Sequence, residues 1–502
     1  MNPRAAGLSL RLYNTMSGAK EPLRPRVAGH LGMYVCGVTV YDLCHIGHAR
    51  SAIVFDVLAR YLESRGVILT YVRNFTDIDD KIIARAARDG LGWREVADRY
   101  IAEYYRDMDA LGIRRPTVEP KATDYIAEML AIISRLVEKG LAYAEGGDVY
   151  YRVAQFPTYG RLSRRRLDQL RAGARVEVDE KKRDPLDFAL WKASKPGEPA
   201  WDSPWGSGRP GWHIECSAMA MAHLGSSIDL HGGGQDLAFP HHENEIAQSE
   251  GATGVEFARC WMHNGFVTIN EEKMSKSLGN FFTIREIVDK SPYDQDVTAE
   301  ALRYLLLGTQ YRSPIDFSDE GLRSAKVALD GLYDVLGRLR EPEGKPVMGA
   351  GDEVARRAID ELDHRFAAAM DDDLNTPQAL AAIHHARTEL NHALAIGISS
   401  GLAEEAESGI RSTGRILGLN FHAASRYRVS SDATTDIQLP GPAEPNVRPV
   451  VWSDAEIDRL VEARNAARAR KAWAEADAIR RQLADAGVII EDRPDGTTRI
   501  KR

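Results

Sequence analysis

His45-Ile-Gly-His48 and Lys273-Met-Ser-Lys-Ser277 are the places in this chain of 502 residues where residue type and spacing point most directly to chemistry. Two imidazoles at the start of a helix can donate hydrogen bonds to phosphate oxygens beside the helix's positive end. Two lysines on a loop can neutralise a departing polyphosphate. Together they imply phosphate chemistry on a nucleotide. A second set, Cys36, Cys216, His241 and Glu245, contains the residue types that hold zinc, and His241 and Glu245, four apart, fall on one face of a helix. The long separation of the two cysteines matches no compact zinc-finger spacing. By residue type alone the set therefore fits a metal site or two buried cysteines beside a capping histidine equally well.

The elements that must position these residues follow from hydrophobic periodicity. Residues 31–36 read as a buried strand, and residues 49–64 as a helix carrying Ile53, Val54, Val57, Leu58, Tyr61 and Leu62 at helical spacing. The histidine motif is thus a strand-to-helix turn. A second strand over 67–75 and a helix over 78–87 continue the alternation of a parallel sheet with crossover helices, in which nucleotides bind at the carboxyl ends of strands. Arg114-Arg-Pro-Thr-Val-Glu-Pro120 breaks the pattern and opens an insertion to about Pro210, with a helix over 123–139, a short strand near Val149 and a polar basic run. The α/β pattern resumes with residues 212–224, a strand over 228–231, Gly232-Gly-Gly234, and a helix starting near Pro240. The catalytic sheet is accordingly split in sequence. From Ala299 onward the reading is nearly all helix, over 300–307, 320–339, 353–370, 377–395 and 404–417. The expected fold class is α/β: a Rossmann-type parallel-sheet catalytic domain with an insertion, followed by an all-α helical bundle and a small C-terminal domain. The expected division is 1–114 and 211–298 for the two halves of the catalytic domain, 115–210 for the insertion, 299–340 and 341–421 for the helical parts, 422–449 for a linker, and 450–502 for the last domain.

Composition bounds the function. Sixty-five Lys+Arg against 73 Asp+Glu give a net charge of -8, which excludes indiscriminate binding to polyanions, so any nucleic-acid surface must be local. Arg464, Arg468, Arg470, Lys471, Arg480 and Arg481 cluster around Trp473, a stretch that composition alone favours reading as a solvated amphipathic helix. Met1 to Ser17 lacks a cationic end followed by an apolar core, and no apolar run is long enough to span a bilayer, so a cytoplasmic protein without a membrane partner is expected. Four scattered cysteines do not make a disulfide scaffold in a chain of this length.

Tyr34-Val-Cys-Gly-Val-Thr-Val-Tyr-Asp42, Asn74-Phe-Thr-Asp-Ile-Asp-Asp-Lys81, Gly211-Trp-His-Ile-Glu-Cys216 and Phe239-Pro-His-His-Glu-Asn-Glu245, added to the histidine and lysine motifs, resemble the cysteinyl-tRNA synthetase family of class I aminoacyl-tRNA synthetases. The likeness covers nearly the whole chain; Val38 stands where many relatives carry proline. The resemblance implies that cysteine attacks the α-phosphate of ATP, releasing pyrophosphate, and that the adenylate is passed to the terminal ribose of tRNA(Cys). It assigns catalysis to His45, His48, Lys273 and Lys276, and ATP binding to Thr39, Gly47, Gly232, Gly233, Asp236 and Lys276. Thr76, Trp212 and His231 would contact cysteine, and one Zn²⁺ would sit on Cys36, Cys216, His241 and Glu245, with Mg²⁺ accompanying ATP.

The resemblance also implies a monomer, a stem contact at 299–340, an anticodon-binding terminus, and an insertion near the acceptor end, where Arg161-Leu-Ser-Arg-Arg-Arg166 reads equally as a solvated loop. A zinc that reads the substrate has a physical rationale, because an apolar pocket separates near-isosteres such as cysteine and serine by only about a hundredfold. A thiolate suits zinc far better than a hydroxyl, and then no editing site is needed. A purely structural zinc is the alternative. Two rival functions are a shortened relative that passes the same adenylate to an amino-sugar and a non-catalytic paralogue that binds RNA or an amino acid.

Overall fold

An N-terminal hairpin, β1 (Arg11–Asn14) and β2 (Ala19–Pro22), leads into the strand β3 (His30–Thr39), the helix α1 (Ile46–Ser64) and the strand β4 (Ile68–Thr76) in this computed structural model. The structure describes residues 8–165, 181–269, 272–273, 282–340, 349–419, 454–470, 479, 489–492 and 498–501. The chain divides into two units, Met1–Leu439 and Pro440–Arg502.

Strand β3 is buried on both faces, which is why it reads as a continuous apolar run. Its period of two sorts the side chains: Leu31, Met33 and Val35 join the core shared with α1, while Tyr34 and Cys36 face the opposite core. Helices α2 (Asp80–Asp89), capped by the Asp79 carboxylate, and α3 (Trp93–Ala110) follow β4. The second of these is not among the expected elements, although Val96, Ala97, Tyr100, Ile101, Tyr104 and Met108 line one buried face.

The insertion is built from α4 (Ile126–Glu138) and an antiparallel sheet of β5 (Ala142–Glu145), β6 (Asp148–Tyr151), β7 (Phe188–Ala193) and β8 (Gly208–Pro210) in that order. After it come α5 (Trp212–Leu224), β9 (Ile228–Gly234), α6 (Glu243–Thr253) and β10 (Ala258–Asn264). Strands β9 and β10 return to the first sheet, which is parallel throughout in the order β10-β9-β3-β4. The catalytic sheet is therefore split in sequence as expected. Helix α6 begins near Pro240 as expected: a wider helical turn over Ala238–His242, interrupted by Phe239, which is extended as a residue before proline prefers, leads into it at Glu243.

A small sheet of β11 (Val267–Ile269), β12 (Glu272–Lys273) and β13 (Ile315–Phe317) precedes the helical region in space, and α7 (Ile284–Lys290), α8 (Gln295–Leu307), α9 (Asp319–Arg340), α10 (Asp352–Asp371), α11 (Thr376–Ile396) and α12 (Ser400–Ile416) complete the first unit. One buried cation ties this region to the sheet. Arg303 on α8 pairs with Asp56 on α1 and donates to the carbonyls of Leu417 at 2.8 Å and Leu111 at 3.2 Å. In the second unit the structure describes α13 (Asp454–Ala469) and the hairpin β14 (Ile489–Asp492) and β15 (Thr498–Lys501). Arg464 is buried there rather than on an open basic face, and Lys471, Trp473, Arg480 and Arg481 lie outside the described residues, as does the linker expected over 422–449. Among the described residues no helix is long and apolar enough to cross a membrane.

Candidate active site

Cys36 and Cys216 meet because β3 turns its even-numbered side chains toward α5. A bulge between Val35 and Val38 adjusts the end of the strand; there the Gly37 amide donates to Asn74 Oδ1 at 2.9 Å, and a Cβ on Gly37 would lie 1.6 Å from the Asn74 carbonyl oxygen. Only glycine fits. Helix α6 brings Glu245 and the turn before it brings His241, so that one donor atom from each of Cys36, Cys216, His241 and Glu245 lies within 4.8 Å of the other three, all buried. A second set, Cys36, His231, His242 and Glu245, overlaps the first. The Glu245 carboxylate joins the two, with Cys36 Sγ at 3.2 Å, His241 Nε2 at 3.1 Å and His231 Nε2 at 2.9 Å.

The electrostatics of the first set suit a cation. Burial opposes ionisation of Glu245, but the imidazoles of His231 and His241 outweigh it and hold the carboxyl well below its ordinary value. Burial likewise opposes ionisation of Cys216, yet the Cys36 thiol and His241 bring it down to about 6, while burial and then Cys216 push Cys36 up. Burial disfavours a charged His241, but Glu245 and Cys216 raise it to about 10. A divalent ion bound by these donors takes over the balancing charge and releases protons. Two thiols, an imidazole and a carboxylate are a donor set that fits zinc.

His213 is a residue that the sequence reading missed. Its Nδ1 lies 2.9 Å from His241 Nδ1, which turns His241 Nε2 toward the cluster, and its carbonyl accepts from Gln248 Nε2 at 2.9 Å. The available signal was its place three residues before Cys216 on the same helix. Trp212 is 39% exposed, with its ring centroid 4.3 Å from that of His241, so it borders the cluster instead of filling a core. Thr76 is buried and donates to Glu215 Oε2 at 2.9 Å; the cap of the following helix is Asp79. His231 is fully buried with Nε2 directed at Glu245, its ring stacked on Trp261 at 4.4 Å between centroids.

The histidine motif forms the N-terminus of α1. His45 is the cap: its Nδ1 accepts from the Gly47 amide at 3.0 Å, and His48 Nδ1 accepts from the His45 amide at 3.3 Å, with the rings stacked 3.7 Å apart. Both Nδ1 atoms act as acceptors, so in the neutral rings both protons sit on Nε2, and no acidic residue stands in the first turn of α1. An anion is favoured at such a terminus. Thr39 ends β3, and Cys36 lies on the same strand. Gly47 is the second residue of α1.

Lys273 lies on the backbone of β12, where it pairs with Thr268, and Lys276 lies outside the described residues. The chain re-enters at Phe282, whose carbonyl accepts from the Ile46 amide at 3.3 Å, and the Ile284 amide donates to Cys44 at 3.0 Å. The two ends of the lysine segment are thereby attached, one to the small sheet and the other to the histidine turn.

Gly232 and Gly233 end β9, where added Cβ atoms would meet the Phe55 ring at 2.3 Å and His242 at 2.9 Å. Helix and histidine packing leaves no room for a side chain at either position. Asp236 is exposed just beyond them.

The profile described as "tRNA synthetases class I (C) catalytic domain" matches residues 22–327, and that described as "Cysteinyl-tRNA ligase anticodon binding domain" matches residues 453–498. A DALR domain matches residues 365–422. A cysteine–tRNA ligase of Geobacter metallireducens is 52% identical over 498 residues, spanning 98% of this chain and 99% of the relative. The chain belongs to the cysteine–tRNA ligase family. Another such ligase, of Stutzerimonas stutzeri, is 50% identical over 98% of this chain and 99% of its own length. The solved structure of a Mycobacterium tuberculosis methionyl-tRNA synthetase bound by methionyl-adenylate has a TM-score of 0.56 at 16% identity, over 80% of this chain and 93% of that one. A Thermus thermophilus arginyl-tRNA synthetase gives a TM-score of 0.52 at 12% identity, over 80% and 83% of the two chains. These likenesses carry the class I fold. The amino-sugar rival, which needs a shortened chain, does not suit relatives that match end to end.

Proposed function

We propose that this ligase activates L-cysteine with ATP and transfers it to tRNA(Cys), and that a zinc ion held by Cys36, Cys216, His241 and Glu245 selects cysteine over serine. The observation that carries the reading is the buried four-donor cluster, whose Cys36 lies on the strand that leads into the paired histidines. Zinc in such a site supplies a soft Lewis acid that favours a thiolate over a hydroxyl. Trp212 and Thr76 border the cysteine; His231 acts at one remove, orienting Glu245. His45 and His48 donate hydrogen bonds from Nε2–H to the α-phosphate oxygens as charge builds there. Lys273 and Lys276, with the Mg²⁺ that accompanies ATP, stabilise the departing pyrophosphate, and Thr39 assists at the polyphosphate. Gly47, Gly232, Gly233 and Asp236 border the nucleoside, Asp236 accepting from ribose hydroxyls.

Residues 115–210 and 299–340 contact the acceptor and stem, and 450–502 the anticodon; the enzyme acts as a cytoplasmic monomer without an editing site. X-ray absorption of the zinc-loaded protein is expected to gain one sulfur ligand on addition of cysteine and none on addition of serine. An unchanged shell with cysteine, in protein that still exchanges ATP and pyrophosphate, leaves the zinc purely structural.

A further inference from the structure

Arg50 lies on α1, two residues after His48, and its side chain is almost wholly buried. Its guanidinium meets backbone. Nη1 donates to the Leu306 carbonyl at 2.6 Å, and Nη2 to the carbonyls of Gln310 at 3.1 Å, Tyr311 at 3.4 Å and Ser313 at 3.1 Å. These carbonyls belong to the end of α8 and the turn that follows it. Among the described residues no carboxylate pairs with Arg50, and burial brings it down to about 10, so it stays charged at neutral pH. A buried cation without a counter-ion adds little stability that an apolar side chain of similar volume would not. What the planar guanidinium adds is direction, through charge-assisted bonds that fix several carbonyls at once.

The segment that Arg50 holds is the one on which the start of the lysine motif is laid. The Tyr311 carbonyl accepts from the Gly265 amide at 2.8 Å, the Ile315 amide donates to the Phe266 carbonyl at 3.0 Å, and the parallel pairing of β11 with β13 follows. Strand β11 then pairs with β12, where Thr268 stands opposite Lys273. The seam is tight: a Cβ on Gly265 would lie 2.5 Å from the Ser313 carbonyl oxygen. Asp373, fully buried in the loop between α10 and α11, holds the same segment from the bundle; its carboxylate accepts from the Tyr311 hydroxyl and from Arg312 Nε, each at 2.8 Å. Helix α1 thus presents His45 and His48 at its start and, through Arg50, holds the backbone against which the strand pair of Lys273 is built.

Stabilisation of a departing pyrophosphate depends on where the donors stand, and a displacement of about 1 Å can cost about a hundredfold in rate. We propose that Arg50 is a positioning residue for adenylate formation, fixing the strand pair that carries Lys273 relative to the paired histidines. The proposal rests on the role given above to Lys273 and extends it to a residue that touches neither ATP nor cysteine.

Arg50→Lys keeps the charge without the planar fork, and Gly265→Ala presses on the same seam from the β11 side, so the second variant keeps the test decisive if the first does not fold. In full-length, zinc-loaded protein each is expected to lower kcat for cysteine-dependent ATP/pyrophosphate exchange by about tenfold or more, with KM for cysteine and zinc content within about twofold of wild type. Transfer from chemically supplied cysteinyl-adenylate to tRNA(Cys), in which no pyrophosphate leaves, is expected to stay within about twofold. Against a Lys273→Ala background, Arg50→Lys is expected to cost only about a further twofold or less, because both changes remove one contribution. An equal loss in both backgrounds, unchanged exchange in both Arg50→Lys and Gly265→Ala, or parallel losses of zinc, cysteine affinity and transfer overturns the proposal. Wild-type exchange in Lys273→Ala would instead sink the role of Lys273 on which it rests.

Discussion

His213 governs how well His241 can serve the cluster. A metal-ligating imidazole is held in one tautomer and orientation by the group on its other nitrogen, and here that group is His213 Nδ1 at 2.9 Å. His213→Ala is expected to weaken zinc binding by about 10- to 100-fold, measured by chelator competition, while leaving the four donors in place. Unaltered affinity would mean that packing against Trp212 alone orients His241. The same locality explains what residue types revealed. The four donors stand out as a chemical set, but the partners of Thr76, His231 and His241 are Glu215, Glu245 and His213, pairs that only the folded chain brings together.

At the scale of elements, α1 both carries the paired histidines at its N-terminus and is the hub of a buried ion pair. Asp56 on α1 is nearly inaccessible and receives Arg303 together with Arg60, the latter at 2.9 Å. Burial alone would raise the Asp56 carboxyl; Arg303 and Arg60 outweigh it and hold it below its ordinary value. Asp56→Asn strands a buried guanidinium and is expected to cost about 3–5 kcal/mol in urea unfolding at neutral pH. Because the folded-state pKa is depressed, the native protein binds fewer protons here than the unfolded chain. The ionised form's contribution is complete above about pH 4 and is lost as pH falls through the folded value. The gap between wild type and variant should therefore narrow on acidification below about pH 4; a gap that stays constant would show that the Asp56 charge is not its source.

At the scale of the whole molecule, the cysteine cluster and the histidine turn both belong to the unit Met1–Leu439, whereas Pro440–Arg502 forms a unit of its own. A chain ending at Leu439 is expected to keep cysteine-dependent ATP/pyrophosphate exchange within about twofold and to lose more than about tenfold in charging efficiency, the equivalent of one ~1.4 kcal/mol contact. Loss of exchange on truncation would place part of the adenylation machinery in the second unit. By itself the sequence determined the class of chemistry, the α/β alternation and the division of the sheet around an insertion, because periodicities of two and 3.6 and the types of reactive side chains are local properties. It did not reveal that α3 packs a buried face. Tertiary structure alone decided that Cys36 and Cys216 face one another across β3 and α5, that Phe282 returns to the histidine turn, and that Asp373 holds Arg312. Each of these joins residues 60 or more positions apart, and contacts at that separation are set by how whole faces pack, which no local pattern encodes.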